Sequence, residues 1–503
     1  ILYVGSPGVA DGTVTDLKLY STQIHGEHNK WLSEVTTLKT GRNEITITSP
    51  STTSNERGGS LYVGYSGKKD AKQYSIRLGS EQNIPVLDVT KAETREEKLK
   101  LVQDYVSKLE SHVSSLEEKH NENHSEYGYD PKLCTLNFTD IVMDNMMFSF
   151  PATQVLAGLN SGDKAEQLLK AIEAMEQEVH LFYQHRGLNE NETKTNRYPS
   201  QRLNIRYSKM FAGAFMYAAT QHIGIEYDSV PDLFRTTPIQ SDENGKYISG
   251  EYSGWGIAHE IGHVINSSKY VNLEVTNNYF SMLAQSDDTN STARFGYDAV
   301  YKHVTSGTKG KSDDVFTQLA MYWQLHMFYD NYYNYKTFDT FQDQFDNLFY
   351  ARVSSYTRDP QSAPNSLSLN SDMDNNFMRL ACAAAEKNLL PFFEAWGLVP
   401  NQDTISYANK FEKEDKKIQY LDDNSRSYRL SGGSGMSEGT KVTSSIDYTD
   451  NSKQVTINFN NTNSNDDAML GYEIIRNGKV VAFVSAGQSS YTDTIKTENN
   501  RVY

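Results

Sequence analysis

Apolar and polar residues alternate along the first 88 positions of the chain, in stretches such as NEITITSP and SLYVGYSG. A period of two residues is typical of β-strands that bury one face. The segments TGRN, ERGGS and SGKKD interrupt these stretches with turn-forming residues. We therefore expect residues 1–88 to form a small β-sandwich.

Beyond Asp88 the apolar residues recur at helical spacing within a charged background. The first such stripe consists of Leu101, Tyr105, Leu109, Val113 and Leu116. Further apolar or aromatic stripes predict helices over residues 163–185, 207–222, 313–335 and 338–356. Residues 89–430 are therefore expected to form one large, mainly α-helical domain.

The composition changes again at residues 431–440, where SGGSGMSEGT is typical of a flexible linker. Short alternating segments follow it, and RNGK between two of them indicates a β-hairpin turn. Residues 441–503 resemble a fibronectin type III module that is expected to be incomplete, because the last strands of such a sandwich are still needed where the sequence stops. The expected fold class is multidomain α+β, with a β-sandwich on each side of the helical domain.

The bulk composition narrows the class of protein. With 37% apolar and 22% charged residues, the chain has the balance of a folded globular protein. Its net charge of −16 argues against nucleic acid or an anionic membrane as the main partner, because both attract basic surfaces. No apolar run has the length needed to span a bilayer. We expect a monomer that neither binds nucleic acid nor inserts into a membrane.

Three residues with reactive side chains are expected to serve packing alone. Cys134 and Cys382 lie in the apolar settings KLCTLNF and LACAAA, which favour buried, unreactive thiols. His326 lies in an aromatic stripe, VFTQLAMYWQLHMFYDNYY, where an interior histidine with satisfied hydrogen bonds is the expected role.

The segment HEIGH brings together residues that can form a metal site. On a helix, His259 and His263 are four residues apart, so both imidazoles project from one face and can bind one zinc ion. Glu260 follows the first histidine and is suited to act as general acid and base on a zinc-activated water. The alternative is a structural helix that carries two surface histidines.

The residues after HEIGH decide the kind of zinc site. A third histidine six positions after His263 would indicate a metzincin, but Lys269 occupies that position. The next strong oxygen ligand is Glu274, in LEVTNNYFSML, which we interpret as a second helix. His259, His263 and Glu274 would then leave one coordination position open, as a catalytic site requires. Asn278 would lie on the same helical face as Glu274, where it could accept a hydrogen bond from a ligand histidine.

HEIGH followed by EVTNN resembles the enhancin-like zinc metallopeptidases, peptidase family sixty. The likeness covers roughly residues 30–400 and includes LKTGRNEITITSP, GGSLYVGYS, FMYAATQHIGIEYDS and FMRLACAAAEKNLLPFFEAWGL. This resemblance implies a gluzincin-type peptidase domain in which His259, His263 and Glu274 bind one zinc ion. It also implies that Glu260 is the general acid and base.

The same resemblance implies a substrate class, because many of these enzymes cut a peptide bond only beside a Ser or Thr that bears an O-glycan. Host mucins and other O-glycosylated proteins are the expected partners. A sugar-binding site needs an aromatic face and fixed polar groups. The candidates for glycan contact are Trp255, Arg294, His222 and Tyr227.

Two alternative functions remain open from the sequence. The first is a zinc peptidase that recognises peptide sequence and has no glycan requirement. The second is a glycan-binding surface adhesin, in which the β-domains bind carbohydrate and the central domain is a scaffold. A mucin-directed peptidase would be extracellular, either secreted or attached to the cell surface.

Overall fold

The computed structural model describes residues 1–22, 32–47, 59–68, 73–79, 83–123, 128–210, 213–219, 222–285, 294–433, 442–449, 454–461, 468–493 and 502. Its strands are β1 (Leu2–Gly5), β2 (Val14–Thr22), β3 (Leu32–Lys39), β4 (Gly41–Asn43), β5 (Leu61–Tyr65), β6 (Ser75–Leu78), β7 (Val86–Asp88), β8 (Thr139–Val142), β9 (Met146–Phe150), β10 (Leu203–Tyr207), β11 (Met216–Ala218), β12 (Ile223–Ile225), β13 (Thr237–Ser241), β14 (Tyr247–Glu251), β15 (Val442–Thr449), β16 (Gln454–Asn461), β17 (Gly471–Arg476), β18 (Lys479–Ser485) and β19 (Ser490–Asp493).

Its α-helices are α1 (Arg95–Ser114), α2 (Leu116–Asn123), α3 (Ala152–Gly158), α4 (Lys164–His185), α5 (Gly254–Ile265), α6 (Asn278–Gln285), α7 (Tyr297–Val304), α8 (Val315–Tyr329), α9 (Phe341–Asn347), α10 (Phe349–Arg358), α11 (Met373–Ala385), α12 (Leu390–Ala395), α13 (Gln402–Ala408) and α14 (Asp423–Leu430). Short 3₁₀ helices cover Val89–Lys91, Lys194–Asn196, Tyr227–Arg235, Pro360–Ser362 and Ile418–Tyr420. No helix in the described part of the chain is long and apolar enough to cross a membrane.

The chain divides into two compact units. The first consists of Ile1–Gln177, Pro199–Pro238 and Gly250–Val264. The second consists of Glu178–Tyr198, Ile239–Ser249 and Ile265–Tyr503.

The first unit begins with two three-stranded antiparallel sheets, in the orders β4-β1-β6 and β3-β2-β5. Inward-facing residues of β1, β2 and β3 form one apolar cluster, which consists of Leu2, Val4, Leu17, Leu19 and Leu38. Alternating burial along β2 produces this cluster, as the sequence pattern predicts. The strand-rich character of this region is therefore confirmed, and its packing as a sandwich stays a prediction.

A six-stranded mixed sheet follows in the first unit, in the order β11-β12-β10-β9-β8-β7. Strand β10 pairs in parallel with β9 and β12, and β11 pairs antiparallel with β12. The predicted helix over residues 207–222 is therefore wrong, because β11 lies within it. Short apolar runs are ambiguous between helix and strand, and here the backbone hydrogen bonds of the neighbouring strand decide.

Helix α1 confirms the first predicted stripe. Thr94 Oγ1 accepts a hydrogen bond from the Glu97 amide and Glu97 bonds back to the Thr94 amide, which forms a capping box. Tyr105 and Leu109 are buried along the apolar face of the helix. Helix α4 begins within one residue of the start predicted for residues 163–185 and ends at His185.

The predictions for residues 313–335 and 338–356 are correct in that both regions are helical, but the ends of the helices differ from the predicted ones. Helix α8 ends at Tyr329, whereas the prediction continued to residue 335. The predicted helix over residues 338–356 is split into α9 and α10 at Leu348, which has extended backbone angles. The amide of Phe349 donates to Asp330 Oδ1 at 2.7 Å, so a buried side chain supplies the acceptor at this break.

The second unit includes the C-terminal strands, which form a sheet in the order β15-β16-β19 and the hairpin of β17 and β18. Asn477 and Gly478 connect this hairpin with φ angles of 50° and 77°, as the RNGK turn requires. The ring of Phe483 in β18 stacks on Tyr420 at 4.0 Å with an interplanar angle of 6°. The hairpin therefore packs on the helical part of its own unit. The fibronectin type III assignment stays a prediction, and residues 434–440 of the predicted linker lie outside the described residues.

Candidate metal centre

Helix α5 contains HEIGH, as the sequence predicts. The imidazoles of His259 and His263 lie side by side on one face of this helix. The rings of His259 and His263 lie 4.8 Å apart between centroids and are inclined at 86°. Their Nε2 atoms are separated by 3.2 Å. Both side chains are partly exposed, while Ile257, Ile261 and the Glu260 side chain are buried on other faces of the helix.

Glu274 lies close to this pair, although its backbone differs from the prediction. The expected second helix begins at Asn278, so Glu274 precedes it in a turn. Its φ angle is 63°, in the left-handed region that costs a non-glycine residue about 1–2 kcal/mol. A strained residue of this kind persists only where its surroundings fix it, and such residues are concentrated at functional sites.

The turn around Glu274 is fixed by hydrogen bonds that the sequence reasoning missed. The amides of Val275 and Thr276 both donate to the Asn272 carbonyl, at 3.0 and 2.9 Å. Asn278 Nδ2 donates to the Glu274 carbonyl at 2.7 Å. The cluster of Asn and Thr in VNLEVTNN could have revealed this, because such side chains compete with helix formation and favour turns. The predicted contact of Asn278 with a ligand histidine stays a prediction.

His259, His263 and Glu274 fit the donor set of zinc. One potential ligand atom from each lies within 4.8 Å of the other two. Two nitrogens that each lie ~2.05 Å from a tetrahedral zinc ion are ~3.3 Å apart, and the observed Nε2 separation is 3.2 Å. Two imidazoles and one carboxylate are also a ligand set of catalytic zinc sites. The three side chains are therefore able to hold a zinc ion.

A second group, His185, His326 and Asp330, has metal-ligand residue types but a different arrangement. All three are buried. His326 Nδ1 lies 2.7 Å from Asp330 Oδ2, and His326 Nε2 lies 2.8 Å from Asn334 Oδ1. Both ring nitrogens of His326 thus lie next to oxygen atoms, and 2.7 Å is shorter than the separation expected for two ligands of one zinc ion. The prediction that His326 is a satisfied interior histidine is confirmed.

Helix α5 also passes close to the terminal strand of the mixed sheet. A Cβ atom at Gly256 would lie 2.9 Å from Met216 Sδ and 3.5 Å from the Phe215 ring. Gly256 therefore permits a close approach of α5 to β11. Among the described residues, β11 is the edge strand at this end of the sheet. Phe215 is 55% exposed beside this strand.

The structure places the four glycan candidates in different surroundings. Trp255 is buried in the first turn of α5, one turn before His259. His222 is buried and its Nε2 lies 2.8 Å from the Tyr217 hydroxyl. Tyr227 shares a hydrogen bond of 2.7 Å with Thr153. Arg294 is exposed shortly before α7. Their role in glycan contact stays a prediction, and Arg294 has the most accessible side chain of the four.

The two cysteines behave as expected. Cys134 and Cys382 are both buried and neither forms a disulfide. Burial raises the pKa of each thiol, to about 12 for Cys382, which keeps the reactive thiolate scarce at neutral pH.

Comparison with known proteins gives a family match over the region that contains this site. The family model for peptidase M60, enhancin and enhancin-like, matches residues 121–397. No curated protein sequence matches the chain at a significant level.

Solved structures provide similar folds over nearly the whole chain. The M60 catalytic domain of ZmpC from Clostridium perfringens, in complex with the sialyl T antigen, is 22% identical with a TM-score of 0.70, covering 99% of this chain and 88% of that one. The ZmpB metallopeptidase from Clostridium perfringens is 24% identical with a TM-score of 0.69, covering 98% and 87%. A metallopeptidase in complex with the Tn antigen is 18% identical with a TM-score of 0.59, covering 99% and 88%. These likenesses show a shared fold.

Proposed function

The chain belongs to the family of M60 peptidases, enhancin and enhancin-like, and on that premise we propose that it is a secreted zinc endopeptidase that cuts O-glycosylated, mucin-type proteins. The family accounts for the metallopeptidase class. The observation that carries the proposal is the convergence of His259, His263 and Glu274 in a zinc-compatible arrangement.

The proposed reaction uses few groups of the chain. Zinc held by the three side chains would supply a Lewis acid that polarises the peptide carbonyl and makes water acidic enough to lose a proton near neutral pH. Glu260, next to His259 in α5, accepts a proton from the attacking water at its carboxylate. The oxygen adds to the carbonyl carbon, the C–N bond breaks, and Glu260 delivers the proton to the departing nitrogen.

The sheet edge beside α5 supports binding of an extended peptide. An extended segment can add to an open strand edge through main-chain hydrogen bonds. Strand β11 is such an edge in the described residues, and Gly256 brings α5 close to it. A peptide that continues past both ends of β11 would be cut internally, which favours an endopeptidase.

The glycan requirement is supported by the similar structures in complex with the sialyl T and Tn antigens. A substrate of this class lies outside the cell, so we propose an extracellular enzyme. Arg294 and Trp255 are the first residues to examine for sugar contact, with His222 and Tyr227 after them.

A matched pair of peptides tests both parts of the proposal. The same sequence is prepared bare and with one O-glycan on Ser or Thr, and each is incubated with zinc-loaded wild type, Glu260→Gln and the exposed-site control Glu118→Gln. Mass spectrometry of the products should show cleavage of the glycopeptide by wild type and by Glu118→Gln, and a loss of at least about 100-fold in Glu260→Gln.

The other outcomes separate the alternatives. Equal cleavage of the bare peptide would support a zinc peptidase without a glycan requirement. Binding of the glycopeptide without cleavage by wild type would support the adhesin.

A further inference from the structure

The Thr276 hydroxyl uses its full hydrogen-bonding capacity, which is one donor and two acceptor positions. It donates to the Asn272 carbonyl at 3.1 Å. It accepts from the Asn272 amide at 3.1 Å and from Asn266 Nδ2 at 2.8 Å. Thr276 is itself buried, so water does not readily replace these partners. One hydroxyl therefore closes the turn that contains Glu274.

Asn266 connects this hydroxyl to the helix that carries the histidines. It is the residue directly after α5. Its Oδ1 accepts from the Ser267 amide at 2.9 Å, which fixes the orientation of its side-chain amide and directs Nδ2 to Thr276. The end of the histidine helix and the Glu274 turn are thus joined by a short side-chain bridge.

Asn272 extends the bridge to a long buried helix. Its Nδ2 donates to Gln318 Oε1 of α8 at 2.7 Å, and Gln318 Nε2 in turn donates to the Ser312 carbonyl. Helix α8 is buried over most of its length, so it gives the turn a rigid attachment. Glu274 keeps its left-handed backbone within this framework.

From these contacts we propose that Thr276 is a positioning residue of the zinc site. Its hydroxyl holds the Glu274 turn at a fixed place relative to the end of α5, so that the carboxylate meets the two imidazoles without reorganisation. The proposal rests on the function proposed above, in which these three side chains bind the catalytic zinc. Thr276 and Asn266 would thus raise the affinity for zinc without contacting the ion, because they hold Glu274 in position.

The test compares zinc affinity with the stability of the zinc-free protein. Thr276→Val preserves shape and removes all three hydrogen bonds, whereas Thr276→Ser restores the hydroxyl. The zinc Kd is measured by competition with a chromogenic chelator, and thermal unfolding is measured on the zinc-free chain. We expect Thr276→Val to raise the zinc Kd about 10–100-fold and Thr276→Ser to restore it to within about threefold.

Two further variants keep the result interpretable. Asn266→Ala removes the bridge to α5 and leaves the bonds within the turn, so it should also weaken zinc binding. This variant tests the bridge even where Thr276→Val does not fold. Thr305→Val is the control, because Thr305 is likewise buried and its hydroxyl donates to the Tyr301 carbonyl at 2.7 Å. It should lower thermal stability and leave the zinc Kd unchanged.

The proposal is overturned if the Asn266→Ala and foldable Thr276 variants bind zinc within twofold of wild type. It also fails if Thr276→Ser binds as poorly as Thr276→Val, or if Thr305→Val weakens zinc binding equally. In these cases the wild type still binds zinc and cleaves, so the proposed function stands. A wild type that binds no zinc would instead contradict the proposed function, and this inference with it.

Discussion

His326 and Asp330 lie against each other in the interior of the second unit, with 2.7 Å between His326 Nδ1 and Asp330 Oδ2. The other ring nitrogen of His326 faces Asn334 Oδ1 at 2.8 Å. Arg426 Nη1 also donates to that oxygen at 2.8 Å, so the Asn334 side chain must present its carbonyl to the histidine. Oxygen atoms of Asp330 and Asn334 therefore flank the two ring nitrogens of His326 and hold the ring in place in the interior.

Removal of the Asp330 carboxylate should lower the free energy of unfolding. Burial by itself raises the pKa of Asp330, but the charge of His326 and its other partners outweigh burial and lower the pKa below its usual value. Asp330→Asn removes the buried carboxylate that faces His326 and accepts from the Phe349 amide, and we expect a loss of about 3–5 kcal/mol in the free energy of unfolding. Urea unfolding at pH 7 measures this, with the exposed-site variant Asp313→Asn as control. A loss below about 1 kcal/mol would contradict a stabilising role for this carboxylate.

Acid should weaken the fold through His185. Burial lowers the pKa of His185 to about 3, while an unfolded histidine has a pKa of about 6.5. Between these values the unfolded chain binds more protons, so this contribution is fully present above about pH 6.5 and is lost as the pH falls toward about 3. Asp330 favours the charged histidine, and His326 and Arg426 disfavour it.

The substitution His185→Gln should reduce the pH dependence of the free energy of unfolding. The Tyr279 hydroxyl lies 2.8 Å from His185 Nδ1, and the amide oxygen of His185→Gln can accept the same hydrogen bond. We expect the variant to lose less stability than wild type between about pH 6.5 and 4, as measured by urea unfolding across that range. His303→Gln, at a partly buried position, is the matched control for the substitution itself. Equal slopes in all three proteins would show that His185 does not titrate in this window.

Zinc should stabilise the chain through Glu274. Zinc at 100 times its Kd adds about 2.7 kcal/mol to the free energy of unfolding, so it should raise the melting temperature of wild type. Glu274→Ala removes one of three ligands and should abolish most of this increase. Glu386→Ala is a matched control, because Glu386 is also left-handed, with a φ angle of 52°. Full zinc occupancy in Glu274→Ala by elemental analysis would mean that another group is the third ligand.

The C-terminal hairpin should unfold together with the helices of its unit. Phe483 stacks on Tyr420 and its ring also meets Tyr301 edge-on, at 4.7 Å. Phe483→Ala should therefore lower the free energy of unfolding by about 1–3 kcal/mol within a single transition. Calorimetry provides the measurement, with Tyr448→Ala as control because Tyr448 is 54% exposed. A separate low-temperature transition for the strands would instead indicate an independent module.

The sequence by itself determined the features that depend on neighbours along the chain. The spacing of His259 and His263 predicts a shared helical face, and Asn477 and Gly478 predict a hairpin turn, because periodicity and backbone preference act over a few residues. The N-terminal strands and α4 follow from the same local rules. The candidate zinc ligands could likewise be selected from the sequence alone.

Only the tertiary structure decided the features whose partners are distant in sequence. Strand β11 depends on pairing with β12, and the break at Leu348 depends on the carboxylate of Asp330. Glu274 occupies a turn because hydrogen bonds of Thr276, Asn272 and Asn266 offset the strain of its left-handed backbone. Local propensity cannot reveal such an arrangement, since the free energy that fixes it comes from groups that meet only in the folded chain.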